Sequence, residues 1–347
     1  MKDIQLWFRS VMDRLLGRKA KGKKAPAGPR SKPVLRSKHS ASSEVAPGPP
    51  AVPNLDGKRW LTESLNADEA ALVERIGESI ASGKFELPHL PATTLALVNL
   101  AGKPGVDVTR VVELISSDPS LAGELLRVSN SVLYSTHVPA STLNEAVMRI
   151  GLRGLRTLIF SVSVKGTVMK MKDLSQYSKE VWRQAFSVAT IARKIAPLLE
   201  IERERAFLIG LLHDVGKIAL LAMLSKEMRR GTIVSPATVG RVFYTHHELA
   251  GSRLAEKWRL DAELVSIAGQ HHNCKANQEY ERGAALASLA HKLDLHMGFD
   301  DEASYRGLVR CPEFESLGIS EGRRMAVLDQ ARRAYEEQES EAHAMAA

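Results

Sequence analysis

Seven of the eleven histidines lie between positions 213 and 296: His213, the pair His246 and His247, the pair His271 and His272, His291 and His296. His213 is followed at once by Asp214 within LLHDVGKIALL, so an apolar helical stretch carries an imidazole and a carboxylate into its own buried part, just ahead of Gly216 and Lys217. Burying such a pair costs free energy unless hydrogen bonds or a metal offset it. Imidazole nitrogen beside carboxylate oxygen suits zinc, iron or manganese. Three readings stand side by side: a bound divalent metal, a hydrogen-bonded polar cluster without metal, and surface histidines that share no site.

Residues of this kind need helices to position them. From about Asn66 onward the apolar pattern is helical almost throughout. Leu72, Val73, Ile76 and Ile80 form one stripe, and Leu95, Leu97, Val98 and Leu100 a second after the breakers Pro88 and Pro91. Asp107 is placed to cap a helix, Asp118-Pro119 to start another, and Thr142 with Glu145 to form a capping box. Only residues 158–164 are ambiguous between helix and strand. The expected fold class is all-α. The longest apolar stretch, 207–224, is interrupted by His213, Asp214 and Lys217, so no transmembrane segment is expected.

Other polar residues have plainer readings. Lys217 is expected to be solvated at the end of the His-Asp turn, with a phosphate contact as the alternative. Arg149, Arg153 and Arg156 recur at spacings of four and three and predict one positive helix stripe, either solvated or facing an acidic or nucleotide partner. Trp182 and Trp258 are expected in the core. Cys274, beside the second histidine pair, is a conceivable thiolate ligand.

The chain of 347 residues carries a net charge of +8, but the charge is not spread evenly. Residues 1–60 hold 14 Lys and Arg against 4 Asp and Glu, a balance of +10, which leaves −2 for the rest. The basic sign therefore belongs to the leader, and nucleic acid is not an expected partner of the body. Within the leader, Ile4, Trp7, Phe8, Val11 and Leu15 share one face of a predicted amphipathic helix over 1–16. With the lysines that follow, this helix is suited to an anionic membrane surface, to a partner, or to the protein's own body. Residues 17–60, rich in Pro, Ser and Lys, predict a disordered linker. Two cysteines give no disulfide framework, and a reducing, cytoplasmic setting is expected, with peripheral contact at the inner membrane surface left open to the leader.

Several segments, in order, resemble one family. LPHLPATTLALVNLA, ISSDPSLAGELLRVSNSVLYS, LNEAVMRIGLRGLRTLIFSVSV, LIGLLHDVGKIAL and HHELAGSRLAEKWRLDAELVSIAGQHH are similar to the HD superfamily of metal-dependent phosphohydrolases, and within it to the HDOD (HD-related output domain) group of bacterial signalling proteins. The resemblance spans about 85–335. The stripe of Leu72, Val73, Ile76 and Ile80 predicts a leading helix over 61–84, and the resemblance implies a multi-helix HDOD fold over 85–336. That fold divides into an N-terminal helical part at 85–170, an HD-like part at 171–298 and C-terminal helices at 299–336, with a disordered tail at 337–347.

The resemblance also implies a metal site that is incomplete. His213, Asp214, His247, His271 and His272 match the ligand positions, but Gln184 stands where an active enzyme has its first histidine. His291 stands where it has the closing aspartate, with Asp294 three residues later, and the GYP triplet of cyclic di-GMP phosphodiesterases is absent. Lost ligands usually end catalysis. The expectation is thus a non-catalytic signal-transduction output or scaffold module with a degenerate metal site, binding a protein or nucleotide partner. The alternative is a phosphohydrolase or phosphodiesterase acting on a nucleotide or cyclic dinucleotide with an iron, manganese or zinc ion, with His213, Asp214 and Lys217 as its catalytic groups.

Overall fold

The computed structural model describes residues 62–86, 88–90, 94, 97, 100, 107–130, 138–297 and 307–346. The expected leader helix and linker, with Ile4, Trp7, Phe8, Val11 and Leu15, lie outside the described residues. Every regular element among those described is helical.

Local chemistry sets most of the helix starts. α1 (Ala67–Ala81) begins with a capping box in which Asn66 Oδ1 accepts from the Glu69 amide at 2.9 Å and Glu69 returns a carboxylate oxygen to the Asn66 amide at 3.0 Å. α2 (Val108–Ser116) is capped by Asp107. α3 (Pro119–Ser129) starts at proline, with Asp118 accepting from the Leu121 amide. α4 (Leu143–Val168) opens on the Thr142–Glu145 box. The ambiguous segment 158–164 is helical within α4.

Gly151 sits inside α4 at φ 73° and ψ 163°, a conformation open to glycine and costly for other residues, and it splits α4 into two segments. The predicted stripe of Arg149, Arg153 and Arg156 is therefore not one helix face. Arg149 turns back to bond Ser129 O at 3.2 Å, Asn130 Oδ1 at 2.9 Å and Val138 O at 2.6 Å, while Arg153 is exposed and Arg156 half-buried.

The second half packs α5 (Ser175–Ile195), α6 (Arg203–Leu212), α7 (Val215–Arg229), α8 (Pro236–Lys257), α9 (Ala262–Gln270) and α10 (Glu281–Met297) around one apolar core. The run Arg203–Arg229 is apolar enough to cross a membrane by length and composition, but it is divided between α6 and α7 and 89% of its apolar window is buried in the protein. Trp182 and Trp258 are both in the core. The Trp258 indole N–H donates to Pro88 O at 2.9 Å.

The short α11 (Glu313–Ser316) precedes α12 (Glu321–Ala346), which continues as helix through the part of the chain expected to be a disordered tail. Its residues are mostly strong helix formers such as Glu, Gln, Ala and Met. Lys194 of α5 pairs with Glu337 at 2.8 Å.

Candidate functional site

His213 ends α6 and Asp214 precedes α7, so the pair occupies the bend between two buried helices. Asp214 stands at an N-cap position yet makes no capping bond, because its carboxylate turns inward. Gly216 makes this bend fit against α8: a Cβ there would lie 1.8 Å from His247 O. α8 supplies His247, the 3-10 segment His271–Ala276 that follows α9 supplies His271 and His272, α10 supplies His291, and α5 supplies Gln184.

Asp214 is the centre of the group. Its Oδ2 lies 2.6 Å from Lys217 Nζ, 3.2 Å from His213 Nε2 and 3.7 Å from His291 Nδ1. Its Oδ1 lies 3.4 Å from His271 Nε2 and 3.6 Å from His247 Nε2. Lys217 is only 1% exposed and donates to Gln184 Oε1 at 3.2 Å. The solvated lysine expected from the sequence is thus corrected, since the adjoining carboxylate and amide compensate its burial. Burial opposes ionisation of Asp214, but Lys217 and then His213 outweigh it and hold the carboxyl well below the usual range.

The imidazole tautomers follow from their outer partners. His213 Nδ1 lies 2.8 Å from Gly210 O, His247 Nδ1 2.7 Å from Phe243 O, and His271 Nδ1 3.2 Å from Ile267 O. A carbonyl can only accept, so each Nδ1 carries the proton and each Nε2 presents a lone pair to the centre when the ring is neutral. Burial pushes His271 well below its ordinary value, against the pull of Asp214, which keeps it neutral. Its Nε2 and Asp214 Oδ1 are both buried and make no hydrogen bond. A lone pair facing a carboxylate with no proton between them is an arrangement that a cation completes. The donor set fits a divalent metal on that observation.

Among the described residues, two groups have their ligand atoms within 4.8 Å of one another: His213, Asp214, His271 and His291, all buried, and His247, His271 and His272. His213 Nε2 and His291 Nδ1 are 2.8 Å apart, and His247 Nε2 and His272 Nε2 3.0 Å. All six residues singled out from the sequence as metal candidates therefore come together. Asp294 does not join them. It is buried facing Arg183 at 3.7 Å, and burial raises its pKa. His246 turns away to Val73 O of α1 at 3.2 Å, and His296 bonds Lys292 O. Cys274 lies in neither group, with its Sγ 3.9 Å from Ser316 Oγ. Glu248, one residue after His247, is a neighbour the sequence reasoning missed: its carboxylate accepts from the His272 amide at 3.2 Å and lies 4.0 Å from His271 Nδ1. Its position directly behind the first histidine pair was the available signal.

Comparison with known proteins agrees with this architecture. The HDOD domain matches residues 87–274. An uncharacterized protein of Treponema pallidum is 29% identical over 217 residues, which are 60% of this chain and 42% of that protein, so the chain spans less than half of that relative. A Shewanella amazonensis structure, named for an inferred metal-dependent phosphohydrolase, superposes with a TM-score of 0.60 at 19% identity and covers 78% of this chain and 99% of its own. An HDOD domain protein with unknown function from Geobacter sulfurreducens gives a TM-score of 0.57 at 24% identity, covering 80% and 95%. At these identities the structures speak for the fold alone.

Proposed function

The chain belongs to the HDOD domain family, and from that membership and the geometry of its His/Asp centre we propose that it is a non-catalytic signalling output or scaffold module. In this reading the helical body binds a protein or nucleotide partner, and the centre serves structure or sensing.

The observation that carries this reading is the Gln184–Lys217–Asp214 chain, at 3.2 and 2.6 Å. Where the resemblance calls for a first histidine ligand, an amide instead holds an ammonium against the only carboxylate of the cluster. A divalent ion at Asp214 would share that carboxylate with Lys217, and two cations around one buried anion repel strongly at low dielectric. His213, Asp214, His271 and His291 would hold an iron, manganese or zinc ion, which supplies Lewis acidity and an acidified water when bound. His213 and His271 would each direct an unprotonated Nε2 at it, and Lys217 would keep Asp214 ionised.

The test is metal analysis of protein purified without chelator, together with hydrolysis assays on nucleotides and cyclic dinucleotides with added manganese, iron or zinc. The expected result is no turnover above background, whatever the metal content. Metal-dependent hydrolysis that disappears in Asp214→Ala would overturn the proposal and establish a phosphohydrolase.

A further inference from the structure

A recess opens at the end of α7 away from the His/Asp centre, with a volume of about 580 Å³, between α1, the stretch around Lys84 and Phe85, the end of α4 and the last turns of α7. Its rim carries Arg75, Lys84, Lys170, Lys226, Arg229 and Arg230, against only Glu86 and Glu227. Glu227 is shared by Arg75 at 3.7 Å and Arg230 at 2.6 Å, Glu86 pairs with Lys226 at 3.1 Å, and Arg229 reaches Asp173 outside the recess at 3.0 Å. Lys84 and Lys170 have no carboxylate partner among the described residues.

Part of this positive charge has an ordinary cause. α1, α4 and α7 all end here, at Ala81, Val168 and Arg229, and cations at helix C-termini offset about half a negative charge each. Six cations less two rim carboxylates and Asp173 leave +3. Three helix ends account for about 1.5 of that. An excess of about 1.5 charges remains, comparable with one phosphate monoester.

The floor is different in kind. Leu72, Ile76, Phe85, Met171 and Met223 line it, a flat aromatic ring among pliable apolar side chains. An apolar floor under a ring of cations, in a volume typical of small-ligand sites, matches a planar base joined to phosphate. The leader, at +10 over residues 1–60, has the wrong sign to fill it. We propose that this recess binds a nucleotide, with its base on the Phe85 floor and its phosphate drawn to Lys84 and Lys170. The inference does not use the His/Asp centre.

Calorimetric titration of the full chain with GMP, cyclic di-GMP and pyrophosphate tests it. At least one nucleotide should bind more tightly than pyrophosphate. Lys84→Glu with Lys170→Glu, both at exposed positions, should weaken that binding roughly tenfold or more by removing two charge-assisted contacts, while the protein stays folded and melts within a few degrees of the parent. Phe85→Ala should weaken the nucleotide and not pyrophosphate. The remote Lys179→Glu should change neither. The inference is overturned by absence of nucleotide binding at millimolar concentration, by pyrophosphate binding as well as the nucleotides, or by full affinity in the double lysine variant. Binding lost in His272→Ala, at an exposed residue of the His/Asp centre, and kept in the lysine variant would place the ligand at that centre and overturn the inference without touching the proposal of a non-catalytic module.

Discussion

Lys217 and Lys165 are both buried lysines, and their surroundings put them to opposite uses. Lys217 is neutralised by Asp214 at 2.6 Å, so Lys217→Met removes the charge that holds the carboxylate. In metal-free protein that variant should lose roughly 3–5 kcal/mol, the cost of leaving a buried charge unpaired. If Lys217 competes with a divalent ion for Asp214, added manganese or zinc should restore the lost stability and bind more tightly than to the parent protein. Calorimetry showing equal or weaker metal affinity would remove Lys217 as the competitor. Lys165, 4% exposed and 5.6 Å from the Trp182 ring, is pushed down to about 6, first by burial and then by Arg127. Its folded pKa lies below the unfolded value of about 10.4. The unfolded chain therefore binds the extra proton between those values, and stability rises with pH across that window, by at most about 1.4 kcal/mol per unit from this group. Lys165→Met should flatten that slope in denaturant unfolding measured at pH 7 and pH 9. An undiminished slope would assign it to other groups.

Two helix-level features had different visibility in the sequence. The caps at Asp107, Asp118-Pro119 and Thr142–Glu145 were legible because a cap is a local bond between neighbours in sequence. The break at Gly151 was not, since the apolar pattern is helical on both sides of it and a positive φ leaves no periodic trace. The burial of Lys217 was hidden for a related reason: its compensating amide lies on another helix, 33 residues earlier. The six candidate ligands were legible because their types are unusual in apolar helices, and the resemblance assigned their order. Glycine gives this scale its own test. A methyl at Gly216 would meet His247 O at 1.8 Å and Gly251 N at 2.5 Å, backbone atoms that can yield only if α7 and α8 part. Gly216→Ala should cost roughly 1–3 kcal/mol or more. At Gly166, exposed in α4 with nothing within 4 Å, the same substitution should stabilise by roughly 0.5–1 kcal/mol. Thermal unfolding that moved in the same direction for both would contradict the tight α7–α8 approach.

Across the whole molecule the charge is divided between two places with different capacities. The first sixty residues carry +10 and the remainder −2, yet the recess beside α1 is ringed by six cations against two carboxylates. A polybasic segment beside a run of large apolar residues attracts an extended anionic surface, whereas a recess of about 580 Å³ admits only a small anion. The two should therefore separate in experiment. In flotation with vesicles containing phosphatidylglycerol, the full chain is expected to float at low salt, and protein lacking residues 1–24 is expected to stay behind. Lys84→Glu with Lys170→Glu should float like the parent, because the recess is too small to engage a bilayer. The attraction should fade as ionic strength shortens the Debye length from about 30 Å at 0.01 M to about 8 Å at 0.15 M, leaving whatever Trp7, Phe8 and their apolar neighbours contribute by insertion. Equal flotation with and without residues 1–24 would remove the leader from membrane contact, and flotation lost in the lysine variant would assign that contact to the body.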